Sequence, residues 1–237
     1  MWLVTSYTED SQPLLEPLDR EFIQHMLLTT AAYSGVEVVA YVVANSNFQA
    51  LLRVPKKSAA DAALTDAEVL RRVRAYYGQA LHDLWAEECR AGDRNWKFRR
   101  RWCLHGMHHL ARFMKTFKHR VSIWVNDNNP KPTSRLWAER YYGYAIEDNP
   151  RAILAAAAAV EMSLVHSRLV DDPADYRWCS HARAQAGDLV ARHSLMARVP
   201  VVFGLEPKAN WASVSKTWRE FLLNREKTKP QTSAPAI

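Results

Sequence analysis

A chain of 237 residues with 48% hydrophobic content holds enough apolar material for a core, as one large domain or one domain with appendages. Its seven glycines form neither GxGxxG nor GxxxxGK, which excludes the nucleotide-hydrolysing classes built on a glycine-rich phosphate loop. The net charge of +7 favours an anionic partner over an acidic surface role.

Three cysteines, Cys89, Cys103 and Cys179, lack CxxC spacing and suit a reducing compartment better than a disulfide framework. The opening Met1-Trp2-Leu3-Val4-Thr5 has no signal-peptide pattern, and the most apolar run, 152–160, is far shorter than the roughly 20 residues of a membrane span. A cytoplasmic protein with no membrane partner is expected.

In chain order, residues 2–7 are β-prone, and 18–30 place Phe22, Ile23, Met26 and Leu27 at helical spacing. After Gly35, two β-rich runs, 36–44 and 48–54, flank the turn-prone Asn45-Ser46-Asn47 and predict a hairpin stopped by Pro55. Thr65-Asp66-Ala67-Glu68 is a capping-box pattern that opens a helix carrying Val69, Val73, Tyr76 and Tyr77. The charged stretch 87–93 reads as its frayed end or a loop. Residues 104–124 predict one long amphipathic helix, with Met107, Leu110, Ala111, Met114, Phe117, Val121 and Trp124 on one face and Arg112, Lys115 and His119 elsewhere.

That helix lies in the basic part of the chain. From Arg94 to Arg140 there are twelve Lys or Arg against two acids, Asp127 and Glu139, so the remainder is slightly acidic. Arg99, Arg100, Arg101, Arg112, Lys115, Lys118, Arg120, Lys131, Arg135 and Arg140 alternate with Trp96, Phe98, Trp102, Trp124 and Trp137. Cations interleaved with flat aromatics suit phosphate contacts and base stacking, so these ten residues are the candidate DNA contacts. The plainer alternative is a solvated basic helix over core aromatics. Trp137, Tyr176 and Trp178 are expected in the core.

Downstream, 136–146 is strand-like, and its β-prone tyrosines Tyr141, Tyr142 and Tyr144 are expected to pack, with a nucleophilic role as the alternative. Asn149-Pro150 opens a helix with proline in its first turn. The last domain element is expected to end near Leu205, followed by a docking helix over 211–224 and a Pro/Ser/Thr tail expected to be disordered. Strand, helix, hairpin, helices, strand, helix is the order of an α+β ferredoxin-like antiparallel sheet with insertions.

Four segments, in order, resemble the REP-associated branch of the single-tyrosine HUH transposases. They are Gly35 to Tyr41 running into Asn45 to Pro55, Arg112-Phe113-Met114-Lys115 with Lys118 and Arg120, Ser134 to Tyr141, and Leu169 to Cys179. The resemblance covers 1–195 and implies a palm-type sheet with helices on one face. It implies a transposase-like domain over 1–195 with a basic helical insertion at 56–125, and a C-terminal extension over 196–237. Active relatives handle single-stranded or hairpin DNA of repeat elements. Two strand-borne histidines hold Mg²⁺ or Mn²⁺ against the scissile phosphate, and a helix-borne tyrosine attacks it.

Carried across, the metal pair falls on Asn47 and Gln49 and the nucleophile on Ala159. Neutral amides bind a hard dication poorly, and alanine has no nucleophile. Glu161 is retained, while the neighbouring family Asn-Pro is replaced by Ser163 and Leu164. No cofactor is therefore expected. His105, His108 and His109, with Cys103 near, have helical metal-ligand spacing but no acidic partner nearby in sequence, and read as basic surface or local hydrogen bonding. The expected function is a transposase-derived, nucleoid-associated DNA-binding protein that has lost cleavage. An active strand transferase with unorthodox residues and a non-DNA scaffold are the alternatives, and a homodimer remains open.

Overall fold

The computed structural model describes residues 1–9, 15–58, 61, 63–129 and 135–227. The expected disordered tail lies outside them, apart from Lys227. The chain divides into two compact units, Met1–Ala145 and Ile146–Ile237. The expected boundary at 195 falls inside a helix, Leu189–Phe203.

The first unit is built on β1 (Trp2–Tyr7), α1 (Pro17–Ser34), β2 (Glu37–Val43) and β3 (Asn47–Arg53). Three helices follow, α2 (Asp66–Tyr77), α3 (Gln79–Arg90) and α4 (Arg94–Gly106), then α5 (Leu110–Asn128) and β4 (Tyr142–Ala145). The strands form one antiparallel sheet in the order β2-β3-β1-β4. With α1 and α5 as the two crossovers this is the ferredoxin-like α+β arrangement. The insertion consequently comprises α2 to α4 alone, and α5 belongs to the core repeat.

Local chemistry sets the element ends. Pro17 occupies the first turn of α1, and Glu16 and Asp19 satisfy each other's backbone N–H groups as a capping box. Gly35 ends α1 in the left-handed region (φ 67°), its N–H donating to Ala31 O. Thr65 caps α2 by accepting from the Glu68 N–H.

Period-two alternation gives the sheet two faces. Phe48 points to the helical side and meets Phe117 (5.1 Å, 81°) and Trp137 (5.6 Å, 78°) edge to face. Helix α5 buries Phe113, Met114, Phe117 and Val121 there, and Phe22 of α1 stacks on Trp124 at 4.2 Å. Each fully buried aromatic or aliphatic side chain contributes roughly 1.5–3 kcal/mol. The insertion has its own core of Val69, Val73, Trp85, Trp96 and Cys103.

Three expectations need correction. The helix predicted over 104–124 is broken between Gly106 and Leu110. There His108 takes φ 55°, donates its N–H to Ser34 O and sets Nε2 2.9 Å from Asp61 Oδ1. Residues 87–90 are helical, as the end of α3. The strand expected over 136–146 is only four residues long and wholly exposed, so Tyr142 and Tyr144 do not pack inward.

The second unit holds α6 (Pro150–His166), a 3₁₀ turn at Pro173–Asp175, α7 (Ser180–Gln185), α8 (Leu189–Phe203) and α9 (Trp211–Lys227). Asn149 caps α6 by accepting from the Ala152 N–H, with Pro150 in the first turn. Its interior contains a polar knot. Glu161, 2% exposed, accepts from Ser180 Oγ at 2.9 Å and Trp218 Nε1 at 3.0 Å, and His181 Nδ1 lies 3.7 Å away. Burial pushes the Glu161 carboxyl above its ordinary value, against the opposing pull of His181, Ser180 and Trp218.

Candidate nucleic-acid interface

Helix α5 turns one side toward the sheet and presents Arg112, Lys115 and His119, at three- and four-residue spacing, on another. The segment after α5 returns as residues 135–141, tied to β1 by Thr8 bridging Trp137 and by the Ala138 N–H donating to Tyr7 O. Between helix and segment lies a groove of about 710 Å³ lined by Arg112, Lys115, Lys118, Arg135, Trp137 and Arg140. His119, Glu139 and Tyr141 also border it, so among the described residues five cations and one acid line the groove before His119 is counted.

Lys118 forms the groove's anchor. Its Nζ donates to Ser6 Oγ at 2.6 Å, to Glu139 O at 2.6 Å and to Arg140 O, and sits 5.1 Å from the Trp137 ring centroid. Burial, and then the nearby Arg135 charge, lowers its amine to about 8. Its first task is to bind the 139–140 backbone to β1 and α5. Its side chain belongs to the buried side of α5, which the sequence pattern did not indicate.

The other candidate contacts divide clearly. Arg112 lies over the exposed Trp102 ring at 4.3 Å, a cation held on an aromatic at the groove rim. Arg135 leans on Trp137 O at 3.0 Å and on Glu9 at 3.4 Å. Arg140 and Lys115 are exposed. Arg99 makes a two-point pair with Glu88 (2.6 and 2.9 Å), and Arg100 bonds Asp66 at 2.7 Å and Leu64 O at 2.6 Å. Both therefore hold the insertion together instead of forming a phosphate clamp. Arg101 is exposed and lines a separate cleft of about 370 Å³ with Lys57 and His105. Arg120 donates to Tyr76 O at 2.7 Å and stacks on Tyr76 at 4.5 Å, a structural role. Lys131 lies outside the described residues.

The aromatics divide in the same way. Trp96 and Trp137 are buried, as is Tyr176, while Trp178 is half-buried beside it. Phe98 and Trp102 are exposed. Sequence reasoning missed His119 and Tyr141 as groove residues; His119, four residues after Lys115 on the polar face of α5, carried the readable signal.

Asn47 and Gln49 lie on the sheet face opposite Phe48, opposite Tyr7 and Thr5 of β1 respectively. Gln49 also pairs with Val42 of β2, so no carboxylate occupies the neighbouring sheet positions. Two amides among a hydroxyl, a phenol and an aliphatic side chain do not fit Mg²⁺ or Mn²⁺. Ala159 is exposed on α6, and Glu161 on the same helix is committed to the buried knot. Of the three histidines considered for a metal, His108 faces Asp61 and His109 caps α5 by accepting from the Arg112 N–H. Among the described residues, no three His, Cys, Asp or Glu side chains cluster to hold a metal ion. No helix among them is long and apolar enough to cross a membrane.

No family model, curated protein or solved structure matches this chain.

Proposed function

We propose that this protein binds single-stranded or hairpin DNA along the α5 groove and does not cut it. The observation that carries the proposal is the convergence of Arg112, Lys115, Lys118, Arg135 and Arg140 on one groove. Phosphates entering it would exchange condensed counterions for fixed cations, giving salt-sensitive affinity. The ferredoxin-like sheet supports descent from the REP-associated HUH transposases, because the resemblance implies that arrangement.

Binding and cutting rest on different residues. The groove is cationic, whereas the positions corresponding to family metal ligands and nucleophile hold Asn47, Gln49 and Ala159. A polyanion can therefore be held without a route to a phosphotyrosine linkage. The protein acts in the cytoplasm on the nucleoid, as a monomer or a homodimer.

The test mixes the protein with labelled hairpin and linear oligonucleotides, with Mg²⁺ or Mn²⁺, and resolves the products under denaturing conditions. Binding without a covalent adduct is the expected result. A denaturation-resistant adduct would overturn the loss of chemistry, and no binding at low salt would overturn the DNA partner.

A further inference from the structure

The sheet face opposite α1 and α5 carries a group of tyrosines that the groove does not include. Tyr142 and Tyr144 on the edge strand β4 pair with Thr5 and Leu3 of β1, and Tyr7 pairs with Asn47. Directly paired residues share a face, so Tyr7, Tyr142 and Tyr144 all project from this side. Tyr142 is 45% and Tyr144 59% exposed. Tyr7 meets Tyr142 edge to face at 6.2 Å, and Tyr142 Oη donates to Glu139 Oε2 at 3.2 Å. These contacts hold the Tyr142 ring in place while leaving much of its surface open.

This patch adjoins the cationic groove. A cleft of about 150 Å³ bounded by Tyr7, Tyr142, Tyr141 and Glu139 shares Tyr141 and Glu139 with the groove's lining. Cations on one side of the 139–141 segment and flat rings on the other match a ligand that alternates phosphates with unpaired planar bases. A duplex, whose bases are already stacked internally, cannot use the rings. Glu139 further disfavours a phosphate at the tyrosines themselves.

We infer that Tyr142 and Tyr144 form a base-stacking subsite for unpaired nucleotides whose phosphates run in the α5 groove. The inference rests on the DNA-binding proposal and adds the preference for unpaired bases. Stacking on aromatic side chains is sequence-tolerant, so the subsite distinguishes single-stranded from paired DNA without reading a motif.

The probes are an oligothymidylate and an abasic oligonucleotide of equal length, which keeps the phosphates and lacks the bases. Wild-type protein should bind the oligothymidylate at least about tenfold tighter, the scale of one to two stacked bases. Tyr142→Ala/Tyr144→Ala should bring the two affinities to within about twofold, and Tyr142→Phe/Tyr144→Phe should restore the preference. Arg112→Ala/Lys115→Ala should weaken both probes together. If wild type binds both equally while the groove variant weakens both, the stacking inference fails and the DNA-binding proposal stands. An alanine variant that keeps the wild-type preference also overturns the inference. Absence of binding to either probe overturns both.

Discussion

Lys118 Nζ and Ser6 Oγ are joined at 2.6 Å across 112 residues of sequence, fastening helix α5 to the first strand beneath the groove. The same ammonium holds Glu139 O and Arg140 O, so one buried cation fixes the segment that closes the groove.

Lys118 gives a pH dependence with a definite sign. Its amine falls from 10.5 to about 8 in the folded protein, so between those values the unfolded chain binds the proton more tightly. Stability from this residue therefore rises with pH from about 8 to 10.5 and is lowest below 8. Thermal unfolding of wild type and Lys118→Met across that window should show the difference between them shifting in favour of wild type as pH rises. A constant difference would refute the assignment.

Gly35 predicts a steric sensitivity. A Cβ there would lie 2.6 Å from His108 Cε1, and the backbone is left-handed at φ 67°. Gly35→Ala should destabilise by about 1–3 kcal/mol, from the left-handed penalty and displacement of a ring held by Asp61. Denaturant unfolding would measure it, and a loss below about 0.5 kcal/mol would contradict both causes.

The buried knot of the second unit predicts another loss. Glu161→Ala would strand Trp218 Nε1 and Ser180 Oγ in the interior, with a loss of about 2–4 kcal/mol. Glu161→Gln, which can still accept one of these bonds, should lose less. Equal losses in denaturant unfolding would show that the one acceptor kept by Glu161→Gln contributes nothing.

The mapping of the missing chemistry is testable by restoration. Asn47→His/Gln49→His, which sets two imidazoles on one face of β3, should bind Mn²⁺ by calorimetry where wild type does not. A folded double variant that binds no Mn²⁺ would show that these two positions are not the ligand pair.

The α+β arrangement was legible because its signals are local. β-rich runs marked β1 and, around the turn-prone Asn45-Ser46-Asn47, the hairpin, Thr65 marked the start of α2, and Asn149-Pro150 marked α6. The break before α5 was not, since the apolar stripe runs through Gly106 to Leu110 and the interruption depends on His108 meeting Ser34 and Asp61 far away in sequence. The basic segment was visible as charge. Counting could not reveal that Glu88 and Asp66, 11 and 34 residues distant, engage Arg99 and Arg100, nor that Lys118 faces inward. Tyr142 and Tyr144 read as β-prone packing residues, and their exposure on β4 is something no local pattern encodes.

The most direct measurement of the central claim is hairpin-DNA affinity as a function of salt, for wild type, for Arg112→Ala/Lys115→Ala/Arg140→Ala and for Arg99→Ala/Arg100→Ala. Wild-type affinity should fall steeply between about 50 and 200 mM salt. The groove variant should bind more weakly with a log–log slope shallower by about 2 to 3, as expected for three lost phosphate contacts, while Arg99→Ala/Arg100→Ala keeps the wild-type slope. Salt-insensitive binding, or a groove variant indistinguishable from wild type, would contradict the account.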